Sequence, residues 1–210
     1  MILKLDENNL KDAVHWLAER DESIAHVLRQ YGYPPLWYRE PGFSTLVHII
    51  LEQQVSLASA NAAFRRLQER LGTILPENLT GLDDDTLRTI GFSRQKMGYA
   101  RHLAVEITTG RLNLPELETL PDDSVRTVLK QLKGIGDWTA DIYLSECLLR
   151  PDILPKGDIA MQEAFRVLNR LPNRPSHETF IEKTEHWRPW RSAGTRMLWH
   201  FYLCERKKDF

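Results

Sequence analysis

Apolar residues return every three or four positions through most of the chain. Leu46, Ile49 and Ile50, then Leu57, Ala60, Phe64, Leu67 and Leu71, fall on single helix faces. The same spacing joins Leu103 to Ile107, Val125 to Val128, Leu129 and Leu132, and Met161 to Ala164, Phe165 and Leu168. Residues 10–31 also read as helix. Start signals precede two of these runs: Asp83-Asp84-Asp85 before Thr86-Leu87, and Pro121-Asp122-Asp123-Ser124 before Val125. Turn signals sit at Gly72, Gly91, Gly110 and Pro172. Strand-like alternation is hard to find, and no low-complexity tract, long linker or clear repeat interrupts the pattern. The chain is predicted to be all-α, with about ten short helices.

Composition narrows the class. Of 210 residues, 42% are apolar and 27% charged, which is the balance of a folded globular chain and not of a disordered one. No apolar run approaches the roughly 18–20 residues that a membrane helix requires, and Asp6 comes too early for a secretion signal. Two cysteines, Cys147 and Cys204, cannot supply a disulfide framework, a four-cysteine zinc site or a four-thiolate iron–sulfur cluster. These features read as an intracellular protein poor in metal.

The net charge of −1 conceals an uneven distribution. Between Arg88 and Arg111, five Lys/Arg (Arg88, Arg94, Lys96, Arg101, Arg111) face one acid, Glu106. From His186 to Lys208, six (Arg188, Arg191, Arg196, Arg206, Lys207, Lys208) face Glu205. Such segregation suits one basic face and an acidic back, and equally a pair of solvated helix faces.

The most informative stretch is Leu132-Lys133-Gly134-Ile135-Gly136-Asp137-Trp138-Thr139-Ala140. A helix ends near Leu132, two glycines make a tight turn, and a second helix begins near Asp137. Glycines two apart permit positive φ and a close approach of the backbone. The outward amides of such a turn and of the next helix's first residues form an anion site able to hold a DNA phosphate without reading sequence. The same residues also read as a plain turn between helices.

Gly134-Ile135-Gly136-x-Trp138-Thr139-Ala140 resembles the hairpin of the alkylbase DNA glycosylases (AlkA-type, 3-methyladenine DNA glycosylase II) of the helix-hairpin-helix superfamily. The family's Gly/Pro-rich loop and aspartate follow as Leu154-Pro155-Lys156-Gly157-Asp158, with Asp158 twenty residues after Trp138. Ile50-Leu51-Glu52-Gln53-Gln54-Val55-Ser56, Gly91-Phe92-Ser93-x-x-Lys96, and Pro189-Trp190-Arg191 to Trp199 complete the landmarks in the family's order. The resemblance implies two helical subdomains with an active-site cleft between them. Within a single unit spanning 1–210, it places parts of the helical subdomains at about 40–115 and 190–210, the hairpin at 120–150, and the catalytic loop and helix at 151–170. It also implies that the N-terminal β-domain of longer relatives is missing.

Chemistry follows residue by residue. Asp158 reads as an N-cap aspartate on its own; the resemblance makes it the catalytic carboxylate, an anion facing the positive charge that builds on deoxyribose as an N-glycosidic bond breaks. Trp199 matches the tryptophan on which a flipped base stacks, and an alkylated, cationic purine favours such a π face. Trp138, Ile142, Ile159 and Trp190 are the other base-site candidates. Two of them, Ile142 and Ile159, stand where the family carries tyrosines, and this leaves open hypoxanthine, ethenoadenine or uracil as the excised base. Trp138 also stands where bifunctional relatives such as endonuclease III carry a nucleophilic lysine, which implies a monofunctional enzyme without lyase activity. Gln54 occupies the position of the side chain that fills the vacated base stack, with Gln53 beside it; either amide also reads as structural. Ser93, Arg94, Lys96, Lys133, Gly134, Ile135, Gly136 and Thr139 complete the DNA-contact candidates.

The resemblance further implies a monovalent cation (sodium or potassium) on the main-chain carbonyls of Lys130, Leu132 and Ile135, with no cofactor required and no iron–sulfur cluster. Asp137 is discordant beside phosphate-binding amides unless it caps the helix or points away. The implied partners are double-stranded DNA with alkylation damage and a downstream abasic-site endonuclease. The chain is expected to be a monomer without a membrane role, in the bacterial cytoplasm or nucleoid or the eukaryotic nucleus. A lesion-binding module without chemistry remains the alternative from another class.

Overall fold

The computed structural model describes residues 2–206, so Lys207 and Lys208 of the second basic run lie outside the described residues. Among the described residues there is no strand. Two helices come first, α1 (Glu7–Ala18) and α2 (Glu22–Tyr31). The central run holds α3 (Phe43–Glu52), α4 (Leu57–Leu71), α5 (Pro76–Thr80), α6 (Asp84–Ile90), α7 (Arg94–Thr108), α8 (Asp122–Lys130) and α9 (Asp137–Ile142). A π-helical turn, Tyr143–Cys147, follows, and then α10 (Ile159–Leu168), α11 (His177–Lys183) and α12 (Arg191–Arg206). Short 3₁₀ turns at Pro115–Thr119 and Glu185–Trp187 complete the set.

The helices form two compact units. One gathers the described residues of Met1–Tyr38 and Leu144–Phe210, and the other is Arg39–Tyr143. The hairpin therefore belongs with residues 39–115, while the C-terminal helix belongs with the N-terminal pair.

In the first unit, Leu10, Val14 and Leu17 of α1 close on Ile24 and Val27 of α2, Met161 and Phe165 of α10, Phe180 of α11, and Met197, Leu198 and Phe201 of α12. Burying each large apolar side chain contributes about 1.5–3 kcal/mol. Trp187 lies wholly buried against Gly194, where an added Cβ would stand 2.3 Å from its Cε3, so only glycine lets the indole rest on α12. In the second unit, the buried residues include Leu46, Ile49 and Ile50 of α3, Leu67 of α4, Leu87 of α6, Met97 and Leu103 of α7, and Val125 and Leu129 of α8.

The helical periods hold, with two corrections. Residues 10–31 are not one helix: α1 ends at Ala18, and Asp21 caps α2 by accepting from the amides of Ser23 (2.9 Å) and Ile24 (3.3 Å). At α8 the N-cap is Pro121, with no side-chain hydrogen bond; Asp122 and Asp123 sit in the first turn instead, where they complement the helix dipole.

The basic runs are largely neutralised by partners. Arg88 pairs with Asp85, Arg101 with Asp84 and Arg111 with Glu106. Arg188 and Arg191 both bind Asp152 at 2.6 Å, and Arg196 is fully buried. Much of the positive charge that is contiguous in sequence is thus paired or buried among the described residues.

Candidate functional site

Within the second unit the hairpin is braced by α3 and α7 and by a tie between its own two helices. After α8, Gly134 turns with φ 86° and lies so close to the Tyr99 ring that an added Cβ would stand 2.2 Å from it. The Gln53 side-chain amide donates to the Gly134 carbonyl (2.9 Å) and to the Thr139 hydroxyl (3.0 Å), fastening the end of α3 to the turn and to α9. Arg126 on α8 donates to Asp141 on α9 at 2.7 Å, and α9 also packs on α3. The Lys133 amide donates to His102 Nδ1 at 3.4 Å. Gln53, Gly134 and Thr139, predicted as separate DNA contacts, are thus brought together, with the two side chains turned onto the protein itself.

The N-cap of α9 is Gly136, which brings no side chain to the first amides of that helix. Gly136 and Lys133 are exposed, and Ile135 is buried with its amide donating to the Leu132 carbonyl at 3.1 Å. Asp137 forms an ion pair with Lys130, so its charge is answered inside the hairpin.

Beyond Gln53 the chain turns outward. Gln54 is exposed with φ 57°, in the left-handed region, and Val55 and Leu57 beside it are 47% and 52% exposed. Ser93 caps α7 by accepting from the Lys96 amide. Lys96 turns back to the protein: its ammonium donates to the Leu51 carbonyl at 2.7 Å, and burial lowers its pKa. Arg94 is exposed at the first position of α7, with no carboxylate partner among the described residues.

Asp158, Ile159, Trp190 and Trp199 lie in the first unit. Leu154 and Pro155 are buried, Gly157 turns with φ 77°, and Asp158 caps α10 by accepting from the Met161 amide at 2.8 Å. Its carboxylate is mostly buried, with 8% of the residue exposed. The next residue, Ile159, is 63% exposed, whereas Ile142 in the second unit is buried, with 2% exposed. Trp138, also in the second unit, is half-buried. Trp190 is half-buried against the core of the first unit.

Trp199 is half-buried on α12, a helix that packs on α10. The Trp37 indole stands nearly perpendicular to it, with centroids 6.2 Å apart at 77°. Sequence reasoning missed Trp37, which lies before the matched motifs, and counted Arg196 as surface charge. The one available signal for Arg196 was its place among Ala193, Met197 and Leu198 on an apolar helix. Among the described residues no group of three or more His, Cys, Asp or Glu side chains is placed to hold a metal ion, and no helix is long and apolar enough to cross a membrane.

Comparison with known proteins points one way. The family model of HhH-GPD superfamily base excision DNA repair proteins matches residues 47–189. The chain is 30% identical over 197 residues to DNA-3-methyladenine glycosylase 1 of Schizosaccharomyces pombe, covering 90% of this chain and 86% of that one. Over 109 residues it is 33% identical to endonuclease III of Sulfolobus acidocaldarius, covering 50% and 47% of the two chains. Its fold matches the solved structure of the Schizosaccharomyces pombe 3-methyladenine DNA glycosylase in complex with abasic DNA with a TM-score of 0.84, at 28% identity, over 90% of this chain and 95% of that one.

Proposed function

Because the chain belongs to the HhH-GPD superfamily of base excision DNA repair proteins, we propose that it is a DNA glycosylase that flips alkylated purines of the 3-methyladenine and 7-methylguanine type out of the duplex and excises them by hydrolysis, leaving an abasic site. The observation that carries the mechanism is the Asp158 carboxylate, fixed at the head of α10 by the Met161 amide. As the bond between C1′ and the purine nitrogen breaks, its electron pair leaves with the base. A purine that carried a positive charge departs neutral and needs no general acid. The positive charge left on the sugar faces the carboxylate, held in place beforehand. Water then bonds to C1′ and releases a proton.

Trp199 supplies the stacking face for the flipped base, with Ile159 exposed beside the carboxylate and Trp190 behind. On the second helix of the hairpin, Ile142 is closed into the core of the second unit and Trp138 is half-buried. Trp138 has no amine to attack the sugar, so the enzyme is monofunctional and does not nick DNA. The Gly134, Ile135 and Gly136 amides hold a phosphate, Lys133, Ser93 and Arg94 flank it, and Gln54 fills the gap in the base stack. Gln53, Lys96 and Thr139 serve DNA binding by holding the elements that touch it. The carbonyls of Lys130, Leu132 and Ile135 suit a monovalent cation: Leu132 already accepts one amide, and a carbonyl oxygen has two lone pairs. The chain acts as a monomer on chromosomal DNA inside the cell and passes its abasic product to an abasic-site endonuclease.

The test is incubation with N-methylated duplex DNA, reading released base by chromatography and abasic sites by alkali. Wild type releases 3-methyladenine and 7-methylguanine, and no adduct is trapped by borohydride. Asp158→Asn binds the duplex as before and releases base at least about 10²-fold more slowly. Undiminished release by that variant, or binding without release by wild type, overturns the proposal.

A further inference from the structure

Residues 32–38 leave α2 through Pro34-Pro35 and end in an unusual conformation. Trp37 adopts φ 49°, a left-handed backbone that bulky residues avoid because Cβ crowds the neighbouring carbonyl. Such strain persists only where the surroundings impose it.

Here the surroundings are α12. Arg196 Nε donates to the carbonyl of Leu36, the residue before Trp37, at 2.8 Å. The same guanidinium is anchored by the Ser145 hydroxyl (3.0 Å) and by the carbonyls of Ser145 (2.7 Å) and Ser192 (3.1 Å). One turn further along α12, the His200 ring bonds the Tyr31 carbonyl at 2.9 Å, and the Tyr31 phenol bonds Glu205. Trp199 lies between these two ties. Both ties hold residues that precede Trp37, and along α12 they flank Trp199.

Both indoles are half-buried; Trp199 packs against the core of the first unit, and Trp37 stands outside that cluster. What the ties fix is an angle. Two indoles at 77° make a corner in which a planar base stacked on one presents its edge to the other. We propose that Trp37 is a specificity-determining residue of the base site, the second aromatic wall beside Trp199, and that it favours cationic purines. The inference rests on the reading of Trp199 as the stacking surface. A second quadrupole turned toward the base stabilises a positively charged ring more than a neutral one, so the corner selects alkylated purines by their charge.

The experiment compares wild type with Trp37→Ala and Trp37→Phe. Thermal melting and binding to a duplex carrying a tetrahydrofuran abasic analogue, which offers no base, remain as in wild type for both. Single-turnover release of 7-methylguanine falls about tenfold in Trp37→Ala and stays within about threefold in Trp37→Phe. Release of hypoxanthine, which is neutral, falls less than that of 7-methylguanine in Trp37→Ala. A readout free of turnover is the quenching of tryptophan emission by free 7-methylguanosine, which carries the charge without DNA; it weakens in Trp37→Ala. Equal release of 7-methylguanine by wild type and Trp37→Ala overturns the inference, as does equal or absent quenching. A wild type that quenches but releases no alkylpurine from DNA would instead defeat the proposed function and leave the aromatic corner standing.

Discussion

The turn at residues 132–136 and the loop at residues 154–158 each carry a glycine with positive φ, Gly134 at 86° and Gly157 at 77°, and each hands the chain to a helix. They finish differently. The N-cap of α9 is Gly136, with no side chain over the first amides, whereas that of α10 is Asp158, whose carboxylate accepts from the Met161 amide. The backbone at both starts carries the same partial positive charge. Left uncovered it suits an anion; covered by an acid it holds a negative charge, here a largely buried one, at the head of the helix. One choice of N-cap therefore decides whether a helix start suits a phosphate or a sugar that is becoming a cation. The nearby charges agree: the acid beside the bare start, Asp137, is answered by Lys130.

The two glycines give the sharpest contrast in stability. Gly134→Ala must hold a left-handed backbone and push its Cβ into the Tyr99 ring, at a loss of about 3 kcal/mol. Gly157→Ala has nothing within 4 Å of its Cβ and loses only about 1 kcal/mol of strain. Denaturant midpoints measure both. Gly136→Asp would give the hairpin the cap that α10 has. Its Cβ meets nothing within 4 Å, so stability holds or rises by a few tenths of a kcal/mol, while DNA affinity drops about tenfold with a shallower salt dependence. A titration at several salt concentrations reads this, and unchanged affinity would show that the bare helix start does not meet the phosphate. The smallest effect belongs to Asp137→Asn. It frees Lys130 for DNA and tightens binding about two- to threefold at low salt, with stability shifted by less than about 0.5 kcal/mol because the pair is partly exposed.

Features that depend on near neighbours were legible in the sequence. Leu46, Ile49 and Ile50 are all buried as their spacing requires, and Asp83 caps α6 where the acidic run points. The bare and capped helix starts could be read from glycines and one aspartate. The break before α2 could not, because Asp21 sits in an apolar rhythm without a glycine or proline to mark it. Surface charge was misread for a related reason. Arg188 and Arg191 find Asp152 nearly forty positions away, and Arg196 reaches Leu36 across 160. Gln53 gave a half-answer: an amide among apolar residues needs a partner, but nothing local says that the partner is Gly134. Trp37 lay furthest from reach, since its angle to Trp199 comes from ties made by α12 and leaves no mark on the residues around it.

Gln53 and Gln54 are consecutive, yet one grips the hairpin from within while the other stands out in solvent with a twisted backbone. A single peptide plane links the finger that would probe the duplex to the clasp that would hold its strand. A change that frees the inner amide from the turn therefore also slackens the exposed residue beside it.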